Sequence, residues 1–179
     1  MLQVKVDVVP VDIDEKTILQ SLPPREAVQA TARAKADALD WDGRPILAAD
    51  TALVLDNNLL GKPESRDEAA EMLRQLSGKV TQVMSCVALK TRNDLIKDRS
   101  AFAALRVDEI DEQTISSYLK TGEADDKAGA IGIQGEAKNF VTIITGNRST
   151  VIGLPIPETM ELLHNAGVVI EDPGASQVE

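Results

Sequence analysis

The chain has 179 residues, the size of one domain, and it carries 19 Lys and Arg against 29 Asp and Glu, for a net charge of −10. Such an acidic chain lacks the broad cationic surface needed to bind along a nucleic acid polymer, and its 2% of aromatic residues leave few rings for stacking on bases. A single cysteine excludes an internal disulfide, no apolar run approaches the roughly 18 residues of a membrane span, and the first residues show no signal-peptide pattern, so we expect a cytoplasmic protein.

Predicted strands and helices are mixed along the whole chain. In chain order, the periodicity and the turn residues predict a strand over 3–9, a helix over 25–39, a strand over 46–55 with a turn at 56–58, a helix after Ser65, paired strands over 80–89 and 101–107, a helix over 111–120, a strand over 140–145 and a helix over 155–165. No linker divides the chain. We therefore predict one α/β or α+β domain over 1–179, with a frayed tail over 173–179.

A short pattern, Ile-Asp-Glu-x-Thr-Ile, occurs twice, at 13–18 and at 110–115. Six residues are weak support for an internal duplication. We interpret the second copy as the end of a strand that runs into a helix capped by Asp111.

Catalysis by histidine or cysteine has almost no basis in this sequence. His164 is the only histidine, and its position predicts a surface residue in the last turn of a helix. Cys86 lies in a predicted strand, where a small core residue is the simplest interpretation. The chain also lacks a ligand set for structural zinc, a GxxxxGK[ST] loop and a GxGxxG motif. Carboxylates, lysines and glycine-rich loops remain as candidates.

Two residues stand at positions that suit a ligand site. Asp50 ends the apolar run Ile-Leu-Ala-Ala and would leave a buried strand at the edge of a sheet, where open α/β folds bind ligands. A turn or helix cap is the alternative interpretation. Lys62 lies between Gly61 and Pro63, where it could approach a phosphate or simply belong to a turn.

The most unusual stretch is 122–135, which has four glycines in fourteen residues. Such a density predicts close backbone approach or positive φ angles. Three acids precede Lys127 there and could hold a hydrated cation beside a lysine that faces phosphate, although a purely structural loop is equally consistent. Together these features favour metal-dependent chemistry on a phosphorylated substrate, with Mg²⁺ or Mn²⁺ and an activated water. They leave the substrate open.

Eight short blocks are spaced along nearly the whole chain. They are Asp12-Ile13-Asp14-Glu15, Ala34-Lys35-Ala36, Ile46-Leu47-Ala48-Ala49-Asp50-Thr51, Gly61-Lys62-Pro63, Leu76-Ser77-Gly78, Asp126-Lys127-Ala128-Gly129, Gly132-Ile133-Gln134-Gly135 and Gly153-Leu154-Pro155. In this order and spacing they resemble the Maf family of nucleotide pyrophosphatases, also known as septum-formation inhibitors. The resemblance implies a fold like that of inosine triphosphate pyrophosphatases: a long mixed sheet with flanking helices, and two lobes around a cleft.

The resemblance also implies an activity and a site. Members of the family hydrolyse the α–β bond of nucleoside triphosphates to monophosphate and pyrophosphate with a divalent cation, for which Mg²⁺, Mn²⁺ and Co²⁺ are candidates. The family's proton-accepting aspartate corresponds to Asp50, and the acid of its first block to Glu15, which makes Glu15 and Asp50 the expected metal ligands. Lys62 corresponds to a triphosphate contact, and Lys127 is a second expected contact with substrate.

The positions that discriminate substrates in this family correspond to Thr51 and Gln134. Threonine after the aspartate and glutamine in the Gly-Ile-Gln-Gly block resemble the branch that hydrolyses dTTP and UTP, rather than the branch acting on 7-methyl-GTP. An amide offers both a donor and an acceptor to a pyrimidine edge. Relatives often dimerise, so a homodimer is expected, whereas a membrane or a nucleic acid polymer is not.

This sequence departs from the family pattern at its beginning, where the expected strand and Ser-x-Ser-Pro-Arg-Arg segment are not found. Either the gene start is placed too late, or the protein is shortened and weakly active or inactive. We expect a folded protein with low pyrophosphatase activity that the added segment restores. The alternative function is a nucleotide- or partner-binding regulator of septum formation and cell division that has lost catalysis.

Overall fold

A five-stranded sheet forms the centre of the computed structural model, which describes residues 6–40, 42–92 and 96–168. Its strands are β1 (Ile46–Leu55), β2 (Asn58–Leu60), β3 (Val80–Lys90), β4 (Ile96–Val107) and β5 (Val141–Thr145), in the order β2-β1-β3-β4-β5. The helices are α1 (Glu15–Ser21), α2 (Pro24–Asp37), α3 (Arg66–Leu76), α4 (Glu112–Leu119), α5 (Arg148–Ile152) and α6 (Ile156–Asn165). Within these ranges, no helix is both long enough and apolar enough to cross a membrane.

The predicted α/β class, with helices flanking a central sheet, is confirmed. Every pairing among the described strands is antiparallel, so the parallel pairs of a mixed sheet do not occur in this part of the chain. Two hairpins, β1–β2 and β3–β4, account for most of this pattern, because a hairpin necessarily reverses its strand. The predicted turn after β1 is present, with Asp56 and Asn57 at φ 49° and 65°, as a tight hairpin of two left-handed residues requires.

The strand predicted over 3–9 is wrong for the residues that the structure describes. Residues 6–9 belong to no strand or helix, and the side chains of Val6, Val8 and Val9 are exposed. Alternating valines form a strand only where a neighbouring strand supplies hydrogen bonds and a core covers one face. Neither surrounds these valines among the described residues. Residues 3–5 and the predicted frayed tail over 173–179 lie outside the described part of the chain.

Small residues let α2 pack closely on one face of the sheet. The buried side of α2 carries Ala27, Val28, Thr31, Ala32 and Ala36. These residues repeat at helical spacing, and three of them pack against small side chains of β1 and β3, in a cluster of Val28, Ala32, Ala36, Ala52, Cys86 and Ala88. The predictions of a small-residue helix face and of a buried Cys86 are therefore confirmed.

The other helices that touch the sheet pack on the opposite face. Leu53 of β1, Val83 of β3 and Leu105 of β4 join α3 and α4 in the largest core cluster, and Leu162 of α6 packs with Val87 and Leu89 of β3. Successive residues of a strand point to opposite faces, which separates this core from the one beneath α2.

Side-chain caps fix the beginnings of several helices. Ser65 Oγ accepts a hydrogen bond from the Glu68 amide at the start of α3, as its capping pattern predicts. The two copies of the Ile-Asp-Glu-x-Thr-Ile pattern share the same device, because Asp14 caps α1 through Thr17 and Asp111 caps α4 through Thr114. Local capping chemistry therefore accounts for the internal similarity.

The glycine-rich stretch 122–135 combines both features that its composition predicts. Gly122 and Gly129 have φ angles of 75° and 61°, whereas Gly132 and Gly135 are approached closely by neighbouring side chains. The Gly129 amide donates to the carbonyl oxygen of Gly61 at 2.9 Å. This hydrogen bond joins the glycine-rich stretch to the segment that follows β2.

We expect Gly129→Ala to destabilise the protein by about 2 kcal/mol or more, because it combines a left-handed backbone with a steric clash. A Cβ atom at this position would lie 2.7 Å from Cδ2 of Leu53, in the core. The matched control is Gly61→Ala, whose Cβ would meet no atom within 4 Å. Urea unfolding of both variants checks this, and equal midpoints for the two would contradict it.

Candidate active site

In the part of the chain that the structure describes, no strand covers the outer edge of β1 where the candidate residues lie. Among the described strands, β2 pairs only with Leu53–Leu55 of β1, so residues 46–52 have a neighbouring strand on one side alone. Asp50 and Thr51 are consecutive and therefore point to opposite faces of the sheet. A cavity of about 270 Å³ wraps around this edge and is lined by residues from both faces.

Three charged side chains meet at this edge. Lys35 Nζ donates to Asp50 Oδ1 at 2.8 Å and lies 3.0 Å from Glu15 Oε1. The side chains of Asp50, Lys35 and Glu15 are 8%, 19% and 38% exposed. The lysine thus bridges two carboxylates at the boundary between core and solvent.

Local structure explains how these side chains reach one another. Asp14 caps α1 and places Glu15 in its first turn, where a negative charge is stabilised by the helix dipole. Lys35 lies in the last turn of α2, where a positive charge is favoured for the same reason. Asp50 extends from β1 toward the face that α2 covers, since it shares this side of the strand with Ala52.

Burial and neighbouring charges act on the pKa of Asp50 in opposite directions. Burial raises the pKa of Asp50 above its ordinary value, the charge and hydrogen bond of Lys35 oppose this increase, and the charge of Glu15 adds to it. Burial lowers the pKa of Lys35, but Asp50 and Glu15 together outweigh burial and raise it. Lys35 therefore stays protonated and favours an ionised Asp50.

One oxygen of Asp50 has no hydrogen-bond partner among the described residues. Asp50 Oδ2 is buried and accepts no hydrogen bond from the described residues. Such an orphaned acceptor is costly unless a ligand, a water or a cation occupies the position beside it. No group of three acidic, histidine or cysteine side chains that could hold a metal occurs in the described part of the chain. Glu15 and Asp50 nevertheless fit Mg²⁺, which uses one or two carboxylates together with waters and phosphate oxygens.

Two further lysines line the same cavity. Lys62 and Lys127 come from segments that the Gly129–Gly61 hydrogen bond holds together. Lys127 forms an ion pair with the exposed carboxylate of Asp126, which lowers the pKa of Asp126, and Lys62 adds to this effect. The cavity therefore has carboxylates near Lys35 and cationic side chains on another part of its wall.

A second cavity, of about 280 Å³, adjoins the first. The two share wall residues Lys127, Ile131, Val151 and Ile152, and the second adds Gln134 and Glu123. Its polar loop is fixed at both ends: the amide of Gly132 donates to Tyr118 Oη at 2.8 Å, and the amide of Glu136 donates to Glu123 Oε2 at 2.8 Å. Glu123 lies close to Gly135, where a Cβ atom would be 2.0 Å from Oε2 and would displace the end of the glutamate side chain.

The structure thus distributes the predicted site residues over two joined cavities. Glu15, Asp50, Thr51, Lys62 and Lys127 line the first, whereas Gln134 lines the second together with Lys127. His164 is exposed in the last turn of α6, as predicted.

Sequence reasoning assigned no role to Lys35, and it considered Glu123 only as one of three acids that could hold a hydrated cation, not as a contact of Gly135. Lys35 lies within an alanine-rich stretch of α2. A lysine beside a helix face of small residues that pack closely indicates that its charge pairs with an acid on another element. Glu123 had no comparable signal, because its contact with Gly135 depends on the path of the loop.

Comparison with known proteins agrees with this architecture. The family model described as "Maf-like protein" matches residues 1–166. A dTTP/UTP pyrophosphatase of Hyphomonas neptunium is 40% identical over 160 residues, which cover 89% of this chain and 83% of the relative. A protein of the same name from Nitrosospira multiformis is 40% identical, and the match covers 89% of this chain and 79% of the relative. Another, from Anaeromyxobacter dehalogenans, is 41% identical, and the match covers 93% of this chain and 86% of the relative. The chain belongs to the Maf family.

We expect Lys35→Met to raise the pKa of Asp50 further, because the charge and the hydrogen bond of Lys35, the largest effects that oppose burial, would be lost. It should also lower the free energy of unfolding at pH 7 by about 1–3 kcal/mol, since Asp50 would lose its hydrogen bond in a buried position. Carboxyl titration by NMR and urea unfolding check both effects. The control is Lys16→Met, which removes an ion pair between exposed Lys16 and Glu64 and should cost at most about 1 kcal/mol. Equal losses in the two variants would contradict a special role for Lys35.

Proposed function

We propose that this protein is a metal-dependent nucleoside triphosphate pyrophosphatase that hydrolyses the α–β phosphoanhydride bond of dTTP or UTP. The observation that carries the proposal is the buried carboxylate of Asp50, one oxygen of which has no partner among the described residues, in a cavity that Lys62 and Lys127 also line. The name shared by relatives at about 40% identity supports the same activity and the same substrates.

Asp50 is suited to accept a proton from the attacking water. Its Oδ1 is bonded to Lys35, which leaves Oδ2 to orient the water and take its proton. The water oxygen then forms a bond to phosphorus, the bond from that phosphorus to the bridging oxygen breaks, and pyrophosphate leaves with the electron pair. Lys35 favours the ionised form of Asp50 that this step needs.

Lys62 and Lys127 are suited to hold the phosphates. Their ammonium groups are compact charges that bind phosphate oxygens, and such contacts strengthen as negative charge builds up on the leaving pyrophosphate. Glu15 and Asp50 would hold a divalent cation, Mg²⁺, Mn²⁺ or Co²⁺, which when bound neutralises triphosphate charge and lowers the pKa of a coordinated water.

The second cavity is suited to the base. It has apolar side chains in Ile133, Val151 and Ile152, and the polar groups of Gln134 and Glu123 beside them. Apolar walls with a few placed polar groups are typical of sites for flat heterocycles. Gln134 is exposed and its amide offers a donor and an acceptor to the edge of a pyrimidine.

We expect Asp50→Asn to reduce turnover by about 10²–10⁴-fold, because an amide cannot accept the proton. Pyrophosphate release is measured on dTTP, UTP and purine nucleoside triphosphates with each of the three cations. Asp125→Asn, in an exposed turn that lines neither cavity, serves as the control and should keep the activity. If Asp50→Asn retained more than about a tenth of the rate, Asp50 would not be the base.

We expect Lys62→Ala to lower kcat/KM by about 10–100-fold, with a higher KM and a lower kcat. The reason is that a charge-assisted contact with the leaving group is lost both in the substrate complex and in the transition state. Lys97→Ala, on an exposed part of β4, is the charge-matched control. Steady-state kinetics on dTTP decide the outcome. A change in thermal stability alone would show that Lys62 is only a structural residue of its loop.

A further inference from the structure

A chain of short hydrogen bonds lies directly beneath Thr51. Ser85 Oγ lies 2.6 Å from the carbonyl oxygen of Thr150 in α5. A carbonyl oxygen has no proton, so Ser85 must be the donor in this bond. Ser85 and Thr150 are 0% and 1% exposed, which leaves no room for bulk water to compete for the proton.

The same serine also contacts Thr51. Thr51 Oγ1 lies 2.7 Å from Ser85 Oγ, at a distance where one oxygen must donate to the other. Ser85 has already used its single proton, so Thr51 donates. The other acceptor near Thr51 is the carbonyl oxygen of Gly153, at the longer distance of 3.5 Å. Whether Thr51 donates to Ser85 or to Gly153, its hydroxyl proton is engaged in a hydrogen bond within the protein.

Toward a ligand, the hydroxyl oxygen of Thr51 can therefore act only as an acceptor. It is only partly buried and lines the first cavity beside Asp50. With its proton directed to Ser85, its oxygen offers lone pairs alone to a bound molecule. A ligand group that donates a hydrogen bond can bind to this oxygen. A ligand group that only accepts hydrogen bonds would be repelled, because no proton would lie between the two oxygens.

We propose that Ser85 is a positioning residue that sets the polarity of Thr51, so that Thr51 recognises a hydrogen-bond donor of the nucleotide. This inference rests on the proposed function. Uracil and thymine present such a donor at N3–H, and the sugar presents one at its 3′-hydroxyl; both match the acceptor, and ligand analogues separate them.

The test compares Thr51→Val, which keeps the shape and removes the hydroxyl, with Thr51→Ser and Ser85→Ala. For UTP we expect Thr51→Val to raise KM about fivefold with a smaller change in kcat, as the loss of one neutral hydrogen bond predicts. Thr51→Ser should restore most of that loss. Ser85→Ala should give an intermediate increase, because the freed hydroxyl can turn its proton toward the ligand. Thr142→Val, on exposed β5, is the control.

Analogues that lack one donor identify the recognised group. N3-methyl-UTP is compared with UTP, and 2′,3′-dideoxy-TTP with dTTP, in the wild type and in each variant. In the wild type, the analogue that lacks the recognised donor should have a higher KM than its parent nucleotide. In Thr51→Val, this difference in KM should disappear for one of the two analogues. Ser85→Ala should reduce the penalty for the same analogue.

Several outcomes would overturn the inference. Equal penalties in the wild type and Thr51→Val for both analogues would show that Thr51 accepts from neither group. Wild-type kinetics in both Thr51→Val and Ser85→Ala would end the inference while leaving the proposed function intact. If Ser85→Ala unfolds, the analogue comparison in Thr51→Val still decides the acceptor role. A wild-type protein that hydrolyses none of the triphosphates would end the proposed function and the inference with it.

Discussion

The ammonium group of Lys35, held between Asp50 and Glu15, is the interaction on which the candidate site depends. It joins the last turn of α2 to β1 and to the first turn of α1, so three elements meet at one charge. Without this charge, two carboxylates would face each other beside the core, and burial would favour a protonated Asp50. The position of α1 and the ionisation of Asp50 therefore have a common origin.

The arrangement is poorly explained by stability alone. Burying charged groups costs hydration free energy, which an ion pair recovers only when the remaining polar atoms are also satisfied. Asp50 Oδ2 is left unsatisfied by the described residues. An apolar residue at this position would avoid that cost. A carboxylate that is half satisfied by lysine and half open to a cavity is better explained by a bound ligand.

The sheet creates the space that this carboxylate faces. Because β2 is only three residues long, no described strand covers the edge of β1 beside Asp50 and Thr51, and the two side chains point to opposite faces. The small residues of α2 bring Lys35 close from one side. From the other side, Ser85 binds α5 and orients Thr51. Both faces of one strand thus contribute to one cavity.

The sequence by itself determined the features that arise within a few residues. Caps at Ser65 and Asp111, the turn at Asp56 and Asn57 and the small face of α2 follow from local propensity and periodicity. The position predicted for Asp50, at the end of a strand, is wrong, because Asp50 lies in the middle of β1 and pairs there with β3. Resemblance added the candidate residues of distant loops.

Tertiary structure alone decided which of these candidate residues lie next to one another. Val6 and Val8 alternate as in a strand but find no partner strand among the described residues, because pairing depends on distant chain segments. Likewise, Lys35 binds an acid 15 residues away and Ser85 a carbonyl 65 residues away. Such contacts depend on the packing of helices on the sheet, which no local pattern specifies.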